Sequence, residues 1–347
     1  MSDDGNRKKP HGCRFGCLAL ALTVGGLLAL VALAVAYGVS SAAGGCTAGG
    51  RGLHLAARGE RGEDEVPLLR EVWSSGTGVT KVVRVPLTGL IFLGGDDWLG
   101  DQGASAVTAL RAIRRATHDP EVEGILLEVD SGGGGITASD EIYEALLAFK
   151  RARQGRAIVT LMGDVAASGA YYVALASDTI MAHPTTLTGS IGVILQSYNI
   201  QELAAKVGIK DVTIKSGANK DLLNPFRELS AEQQAMLQGV VDALHRRFVR
   251  LVAESRALPE EEVRRLADGR IFVADDALAC KLIDEIGYGP DAEEALADLL
   301  DAPALRVVRY EEDLSLLDLF RFRRGFGASL SSLLAPRDAR LMYRWGL

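Results

Sequence analysis

The sequence predicts an α/β fold with a parallel sheet, because strand-like and helix-like segments alternate along its middle part. Continuous apolar runs at 122–130 and 157–163 are typical of strands that are buried on both faces. A glycine-rich turn and a helical pattern over 138–153 follow the first run, and a turn and a helical pattern over 168–177 follow the second. Because loops at the carboxyl ends of parallel strands build active sites, we expect a functional site near these two turns.

Other segments complete the predicted order of elements. Strands are expected at 82–91 and 179–183, and helices at 104–119 and 230–256. Ser230 is a good N-cap for the last helix, and Gln233 stands three residues later, as in a capping box.

The N-terminus predicts a membrane anchor. Residues 15–50 contain no Asp, Glu, Lys or Arg, and the apolar run 17–38 is long enough to cross a hydrocarbon core of about 30 Å. Four basic residues precede this run, namely Arg7, Lys8, Lys9 and Arg14. Since positive residues stay in the cytoplasm, we predict a cytoplasmic segment 1–14 and a transmembrane anchor 15–38, with the rest of the chain across the membrane.

Two alternatives to the anchor stay open. A cleaved signal peptide usually has a shorter apolar core of about 7–15 residues, so we favour the uncleaved anchor. Lipoprotein processing at Cys46 has small residues before the cysteine, but the usual leucine three positions upstream is absent.

One catalytic domain is expected over 81–310. A Gly-, Arg- and Glu-rich stretch precedes it, and we interpret 39–80 as a linker. The tail 311–347 mixes apolar and basic residues, which would suit packing on a partner subunit, on a membrane surface or on the protein's own core.

Composition excludes some functions. The net charge of −7 argues against a nucleic-acid-binding protein. The four cysteines show neither metal-ligand spacing nor a disulfide framework, so we expect no metal and no cofactor.

Ser168 opens one of the two helical segments that follow a buried run. It either packs a helix against the sheet or acts as a nucleophile, and a serine nucleophile requires an activating base. His183 stands at a strand end and His118 follows a helix and precedes Asp119-Pro120, and no Asp–His pairing stands out as that of a catalytic triad. The other route is a lysine whose pKa is lowered well below its usual value of about 10.4.

Four consecutive glycines at 132–135 follow the other buried run. Glycines permit close approach to the backbone and can direct amide N–H groups into a cleft, as an oxyanion hole requires. A flexible loop is the alternative interpretation.

Several ordered motifs together resemble the signal peptide peptidase A family, the membrane-bound bacterial serine peptidases of the Clp/crotonase fold (peptidase family S49). The motifs are LLEVDSGGGGITASDEIY (126–143), DVAASGAYYVA (164–174), TTLTGSIGVI (185–194) and IKSGANKDLLNPFREL (214–229). The resemblance covers roughly 80–300 and implies a repeated ββα superhelix with a parallel sheet.

The resemblance implies catalytic roles for particular residues. The family's nucleophile falls on Ser168 and its general-base lysine on Lys220, while Ser190 falls where the family keeps a hydroxyl near the lysine. The oxyanion donors fall on Gly133 and Gly169. By the same reasoning Asp221 should point away from the base, and the neighbouring Lys215 is interpreted as structural.

Two positions depart from the family pattern. Gly132 stands where the family usually has proline, and Ala170 stands where it usually has a second glycine after the catalytic serine. A glycine in place of proline should raise the entropic cost of ordering the loop. The departures leave open which glycine of the motif donates to the oxyanion.

The resemblance further implies an endopeptidase that degrades remnant signal peptides at the outer face of the inner membrane. Serine and lysine are expected to come from neighbouring protomers of a homo-oligomer, so Ser168 and Lys220 should lie beyond hydrogen-bond reach within one chain. The alternatives are a Clp-type Ser-His-Asp protease using His183, an acyl-CoA enzyme of the crotonase type, and an inactive scaffold that binds membrane-protein clients.

Overall fold

The computed structural model describes residues 66–93 and 104–312, together with the backbone of 342–344. The chain divides into the units Met1–Arg58 and Gly59–Leu347, and all of the described residues belong to the second. The predicted cytoplasmic segment 1–14, the predicted anchor 15–38 and most of the tail 311–347 lie outside the described residues. Within the described ranges, no helix is both long enough and apolar enough to cross a membrane.

Eleven strands occur in the described part of the chain. They are β1 (Arg70–Ser75), β2 (Thr80–Thr88), β3 (Val122–Ser131), β4 (Gly133–Gly135), β5 (Ala157–Ala167), β6 (Thr179–Ala182), β7 (Leu187–Gly189), β8 (Ile271–Val273), β9 (Glu285–Ile286), β10 (Leu305–Glu311) and β11 (Met342–Arg344).

Eight helices accompany these strands in the same part of the chain. They are α1 (Ala104–His118), α2 (Ile136–Ala152), α3 (Gly169–Ala174), α4 (Gln201–Lys206), α5 (Ala231–Arg256), α6 (Glu260–Leu266), α7 (Ala274–Ala279) and α8 (Gly289–Leu299).

Nine of the described strands form one sheet, with the order β1-β10-β2-β3-β5-β6-β9 and with β7 and β8 attached beside β5. Every pair from β10 to β9 along this order is parallel, as is the pair β5–β7, while β1–β10 and β7–β8 are antiparallel. The predicted α/β class with a parallel-dominated sheet is therefore confirmed.

The sheet is buried on both faces, which explains the continuous apolar runs. Val83 and Val85 of β2 belong to a large core cluster that includes residues of α1, α2 and α3. Val82 faces the other side, in a smaller cluster with Ala292 and Leu296 of α8. Because successive residues of a strand point to opposite faces, the odd-numbered and the even-numbered positions must both be apolar here.

A charged cluster joins β2, β10 and the turn after α1. The side chain of Lys81 is 3% exposed, and its Nζ lies 2.9 Å from Asp119 Oδ2. Tyr310 donates its hydroxyl hydrogen to the same oxygen at 2.7 Å. Burial acts to raise the pKa of Asp119, but the hydrogen bonds from Lys81 and Tyr310 outweigh it and lower the pKa to about 2.

Three local predictions need correction. The segment interpreted as a linker contains β1, which pairs with β10 at the sheet edge. The predicted glycine turn contains the short strand β4, which pairs with the backbone of β11. The strand expected to end at 163 continues to Ala167, directly before Ser168.

Candidate active site

Ser168 lies at a sharp turn between β5 and α3. Its backbone has φ 57° and ψ −118°, a conformation that residues with a Cβ rarely adopt, and the residue is 1% exposed. Strained residues of this kind persist where the surrounding structure holds them, and they concentrate at functional sites. A strained strand-to-helix turn is also how α/β hydrolases present a nucleophile.

Ser190 lies beside Ser168 at the same end of the sheet. Strands β5 and β7 are parallel, and Ala167 pairs with Gly189, so the two serines directly follow paired residues. Ser168 donates its backbone N–H to the carbonyl of Gly189 at 2.8 Å. Ser190 also has a positive φ of 48° and is 6% exposed, and its amide donates to the carbonyl of Arg270. The fold thus brings two predicted site residues together.

Gly189 itself has no room for a side chain. Its φ is +84°, and a Cβ would lie 2.5 Å from Cδ2 of Phe272. The glycine therefore lets β7 approach β8 closely while Ser190 turns out of the strand.

The glycine motif forms an extended edge next to the nucleophile helix. Strand β4 contacts α3, and a Cβ on Gly134 would lie 2.2 Å from the carbonyl oxygen of Ile91. Gly133 has φ +97° and donates its amide to Ser131 Oγ at 3.0 Å. An oxyanion that uses this amide would have to displace the Ser131 hydroxyl.

Helix α3 is fixed to two other helices through Tyr172. The Tyr172 hydroxyl donates to Asp140 Oδ1 of α2 at 2.6 Å and accepts from Arg247 Nε of α5 at 3.1 Å. Ala170, one of the two departures from the family pattern, is fully buried in the large core cluster. Its methyl group therefore fills core space under the start of the helix.

Lys220 lies in the segment 194–229, which we call the arm. The residue is exposed, and the structure records no hydrogen bond or ion pair of its Nζ with any described residue. In particular, Lys220 Nζ and Ser168 Oγ form no hydrogen bond within this single chain, whose described part includes both residues. The burial that a lysine base requires is therefore not supplied by its own chain.

Asp221 is held by other cations of the arm. Lys215 Nζ lies 2.7 Å from Asp221 Oδ1, and Arg227 contacts the same oxygen. The hydrogen bond from Lys215 lowers the pKa of Asp221 below its usual value. This pairing agrees with the structural interpretation of Lys215.

The capping box at the start of α5 also holds the turn at 217–221, which we call the base loop after the predicted role of Lys220. Ser230 caps the helix and Gln233 completes the box, as predicted. The Gln233 side chain is buried, and its Nε2 donates to Asn219 Oδ1 at 3.2 Å. The residue before Lys220 is thus fixed to the first turn of α5.

Much of the apolar surface of the arm is uncovered. The exposed residues are Ile194 (44%), Tyr198 (69%), Ile200 (37%), Leu203 (60%), Val207 (63%), Ile209 (55%), Val212 (84%), Ile214 (97%) and Leu229 (40%). So many exposed apolar side chains within one segment are typical of a protein–protein contact.

His183 does not complete a triad in the described chain. Its ring packs 5.4 Å from the ring of Tyr288, and no hydrogen bond joins it to Ser168 among the described residues. His118 is exposed, with Nδ1 near the carbonyl of Arg114.

A buried serine on a strained strand-to-helix turn, beside a second serine and a glycine edge, defines the class of protein: an α/β serine hydrolase. Comparisons with known proteins identify the family within this class. The family model described as "Peptidase family S49" matches residues 150–302.

Individual relatives extend the match. A putative signal peptide peptidase SppA from Enterococcus faecium is 35% identical over 247 residues, covering 71% of this chain and 71% of that protein. A putative protease from Synechocystis sp. is 36% identical over 229 residues, covering 66% of this chain and 78% of that protein. The chain belongs to peptidase family S49 and is a serine peptidase.

Among solved structures, a ClpP1 mutant from Listeria monocytogenes matches with a TM-score of 0.37 and 17% identity, over 60% of this chain and 93% of that chain.

Sequence reasoning missed residues that hold the site. Thr186 and Thr188 stand inside the TTLTGS motif, and Asp130 stands at the end of a buried strand. A hydroxyl or carboxylate next to a strand end was the available signal, but its partners could be identified only from the structure.

Proposed function

We propose that this protein is a membrane-anchored endopeptidase in which Ser168 and Lys220 form a catalytic dyad that acts on remnant signal peptides. The observation that carries the proposal is the buried, strained Ser168 at the end of β5, beside Ser190 and the glycine edge. The repeated ββα superhelix of the Clp/crotonase fold is part of the same proposal.

The proposed reaction has two steps. Neutral Lys220 takes the proton of Ser168 Oγ as this oxygen attacks the peptide carbonyl, and the amides of Gly133 and Gly169 stabilise the oxyanion. The intermediate collapses to an acyl-enzyme, and the amine leaves with the proton that Lys220 carried. Water, deprotonated by Lys220, then attacks the acyl group, and Lys220 returns the proton to Ser168 Oγ as the ester bond breaks. In this scheme Ser190 orients the lysine amine.

The dyad is proposed to form between two protomers. Ser168 is held by its own chain, whereas Lys220 is exposed and lies next to the uncovered apolar surface of the arm. A second copy that covers the arm would bury the lysine and exclude water, which favours the neutral amine. Asp221 does not oppose this, because Lys215 and Arg227 already pair with it.

The substrate class is proposed from the site and from the predicted anchor. Strand β11 of the chain pairs antiparallel with β4, so the glycine edge can hold an extended backbone, and a substrate peptide would take the place of β11. An anchor at 15–38 would confine the catalytic domain to the outer face of the membrane, where remnant signal peptides remain. The proposed location is therefore the inner membrane, with the catalytic domain on the extracytoplasmic side.

A serine-reactive fluorophosphonate probe tests the dyad. We expect the assembled wild-type protein to be labelled and both Ser168→Ala and Lys220→Ala to lose labelling and peptide cleavage by about 1,000-fold or more. Lys210→Ala is the matched control, because Lys210 is an exposed lysine of the same arm that makes no ion pair with any described residue.

Two results would contradict the proposed dyad. Equal loss in Lys210→Ala and Lys220→Ala would show that the loss is not specific to the Lys220 amine. Absence of labelling in an assembled wild-type protein would instead favour the inactive scaffold.

A further inference from the structure

Strand β5 carries a bulge shortly before the nucleophile. Against β3, Val129 pairs with Met162 and Ser131 pairs with Ala166, so three residues of β5 (163–165) face the single residue Asp130. Bulges are common next to active sites, because they bend a strand and redirect the side chains that follow.

The bulge marks the point where β5 changes its neighbour. Residues before it pair with β6, ending at Met162 with Ala182. Residues after it pair with β7, from Val165 with Leu187 to Ala167 with Gly189. The direction of this last short stretch sets where Ser168 stands relative to Ser190.

Asp130 fixes one side of the bulge. Its Oδ1 accepts a hydrogen bond from the Val165 amide at 3.1 Å. Gly163 lies close against it, since a Cβ there would be 3.2 Å from the Asp130 Cβ. The Asp130 side chain thus satisfies an amide that has no partner in the β3–β5 ladder.

Thr186 fixes the other side. The residue is fully buried, and its hydroxyl donates to the Gly163 carbonyl at 2.6 Å and lies 3.1 Å from the Met162 carbonyl. Thr188 makes a similar bond to the carbonyl of Ala166 at 2.6 Å. Gly163 lies outside the paired residues of the β3–β5, β5–β6 and β5–β7 ladders, so the Thr186 hydroxyl binds a carbonyl in the bulge itself.

We propose that Asp130 and Thr186 are positioning residues that hold the bulge of β5 and thereby aim Ser168 at the substrate carbonyl. The inference rests on the proposed role of Ser168 as nucleophile. Since a misplacement of about 1 Å can cost a reaction about 100-fold, loosening the bulge should slow the attack even where the protein remains folded.

The test compares four variants: Asp130→Ala, Asp130→Asn, Thr186→Val and Thr160→Val. Thr160 is the matched control, because it is a fully buried threonine of the same strand whose hydroxyl bonds to Ser177 Oγ at 2.6 Å, before the bulge. Each variant is measured for thermal stability, for kcat and KM on a peptide substrate, and for the rate constant of fluorophosphonate labelling per folded protein.

We expect Asp130→Ala and Thr186→Val to lower kcat and the labelling rate by about 10- to 100-fold, with KM nearly unchanged. Asp130→Asn keeps an acceptor oxygen and should stay within about threefold of wild type. Thr160→Val should lose stability as Thr186→Val does, while its labelling rate per folded protein stays at the wild-type value.

Two outcomes would overturn the inference. One is an Asp130→Ala protein that labels at the wild-type rate; because Asp130 is exposed, this variant is expected to fold. The other is an equal loss of labelling rate in Thr160→Val and Thr186→Val, which would indicate a general effect of stability. Labelling of Ser168→Ala is measured first, before the positioning variants are compared. Labelling that persists in this variant would refute the proposed nucleophile itself.

Discussion

The two halves of the proposed dyad lie in regions of opposite character. Ser168 and Ser190 are buried and bonded to neighbouring strands, with exposures of 1% and 6%. Lys220 is exposed on an arm whose apolar side chains are largely uncovered, up to 97% at Ile214. The chain therefore completes the nucleophile side by its own folding, and the base side needs a further contact.

The largest expected effect is recovery of activity from two inactive variants. If Ser168 and Lys220 come from different protomers, co-expression of Ser168→Ala with Lys220→Ala in equal amounts should leave about one site in four with both wild-type groups. Peptide cleavage by the co-assembled protein is the measurement, with mass determination to verify mixed assembly. Activity that stays at the level of each single variant would show that both groups act within one chain.

The second prediction concerns the uncovered surface of the arm. A charge at the centre of an apolar contact is strongly unfavourable, so Ile214→Asp should prevent assembly and lower activity by about 10-fold or more. Sedimentation and cleavage measure this, and the melting temperature of the domain should hardly change, because Ile214 contributes little to its own core. Val79→Asp is the control, since Val79 is 89% exposed but lies outside the arm. Full activity in Ile214→Asp would contradict the need for a partner on this surface.

The third prediction compares a glycine of the core site with a glycine of the arm. Gly189→Ala places a Cβ 2.5 Å from Phe272 Cδ2 at a φ of +84°, and should lower the free energy of unfolding by about 2–4 kcal/mol. Gly208→Ala has a similar φ of +76° but nothing within 4 Å, so about 1 kcal/mol is expected. Chemical denaturation measures both, and equal losses would mean that backbone strain alone, without the contact to Phe272, sets the cost.

The smallest effect is a dependence of stability on acid pH. Since the pKa of Asp119 is about 2 in the folded chain, below its unfolded value, this group stabilises the fold fully above about pH 4. The contribution, about 2 kcal/mol, is lost as the pH falls towards 2. Asp119→Asn should remove this slope between pH 4 and 2, whereas Asp221→Asn on the arm should leave most of it. If the pH dependence of stability were unchanged in Asp119→Asn, other carboxylates would be its cause.

The sequence was sufficient to predict elements that have a long hydrophobic pattern or a characteristic pair of capping residues. The buried runs that became β3 and β5, and the capping box at Ser230 and Gln233, follow from hydrophobic period and from hydrogen-bond chemistry within one segment. The strand-to-helix position of Ser168 follows from the same reasoning.

Features that depend on distant partners were not predictable. Strand β4 is three glycines with no side-chain pattern, and it is defined by the backbones of Ile91 and β11. The bulge in β5 lies where its neighbour changes from β6 to β7, and no local sequence pattern encodes that change. The exposure of Lys220 likewise depends on what the rest of the chain leaves uncovered.

Helix α5 connects the region of Ser168 with the arm that carries Lys220. Its far half is buried at Phe248 and Val249 and tied to α3 through Arg247, while its first turn carries the base loop through Gln233. About 22 Å of helix separates Gln233 from Phe248, so a tilt of about 5° around the packed end would move the base loop by about 2 Å. That displacement is comparable to the difference between a formed and a broken hydrogen bond. In the proposed site, a change of a few degrees in the angle of α5 would therefore be enough to switch proton transfer on or off.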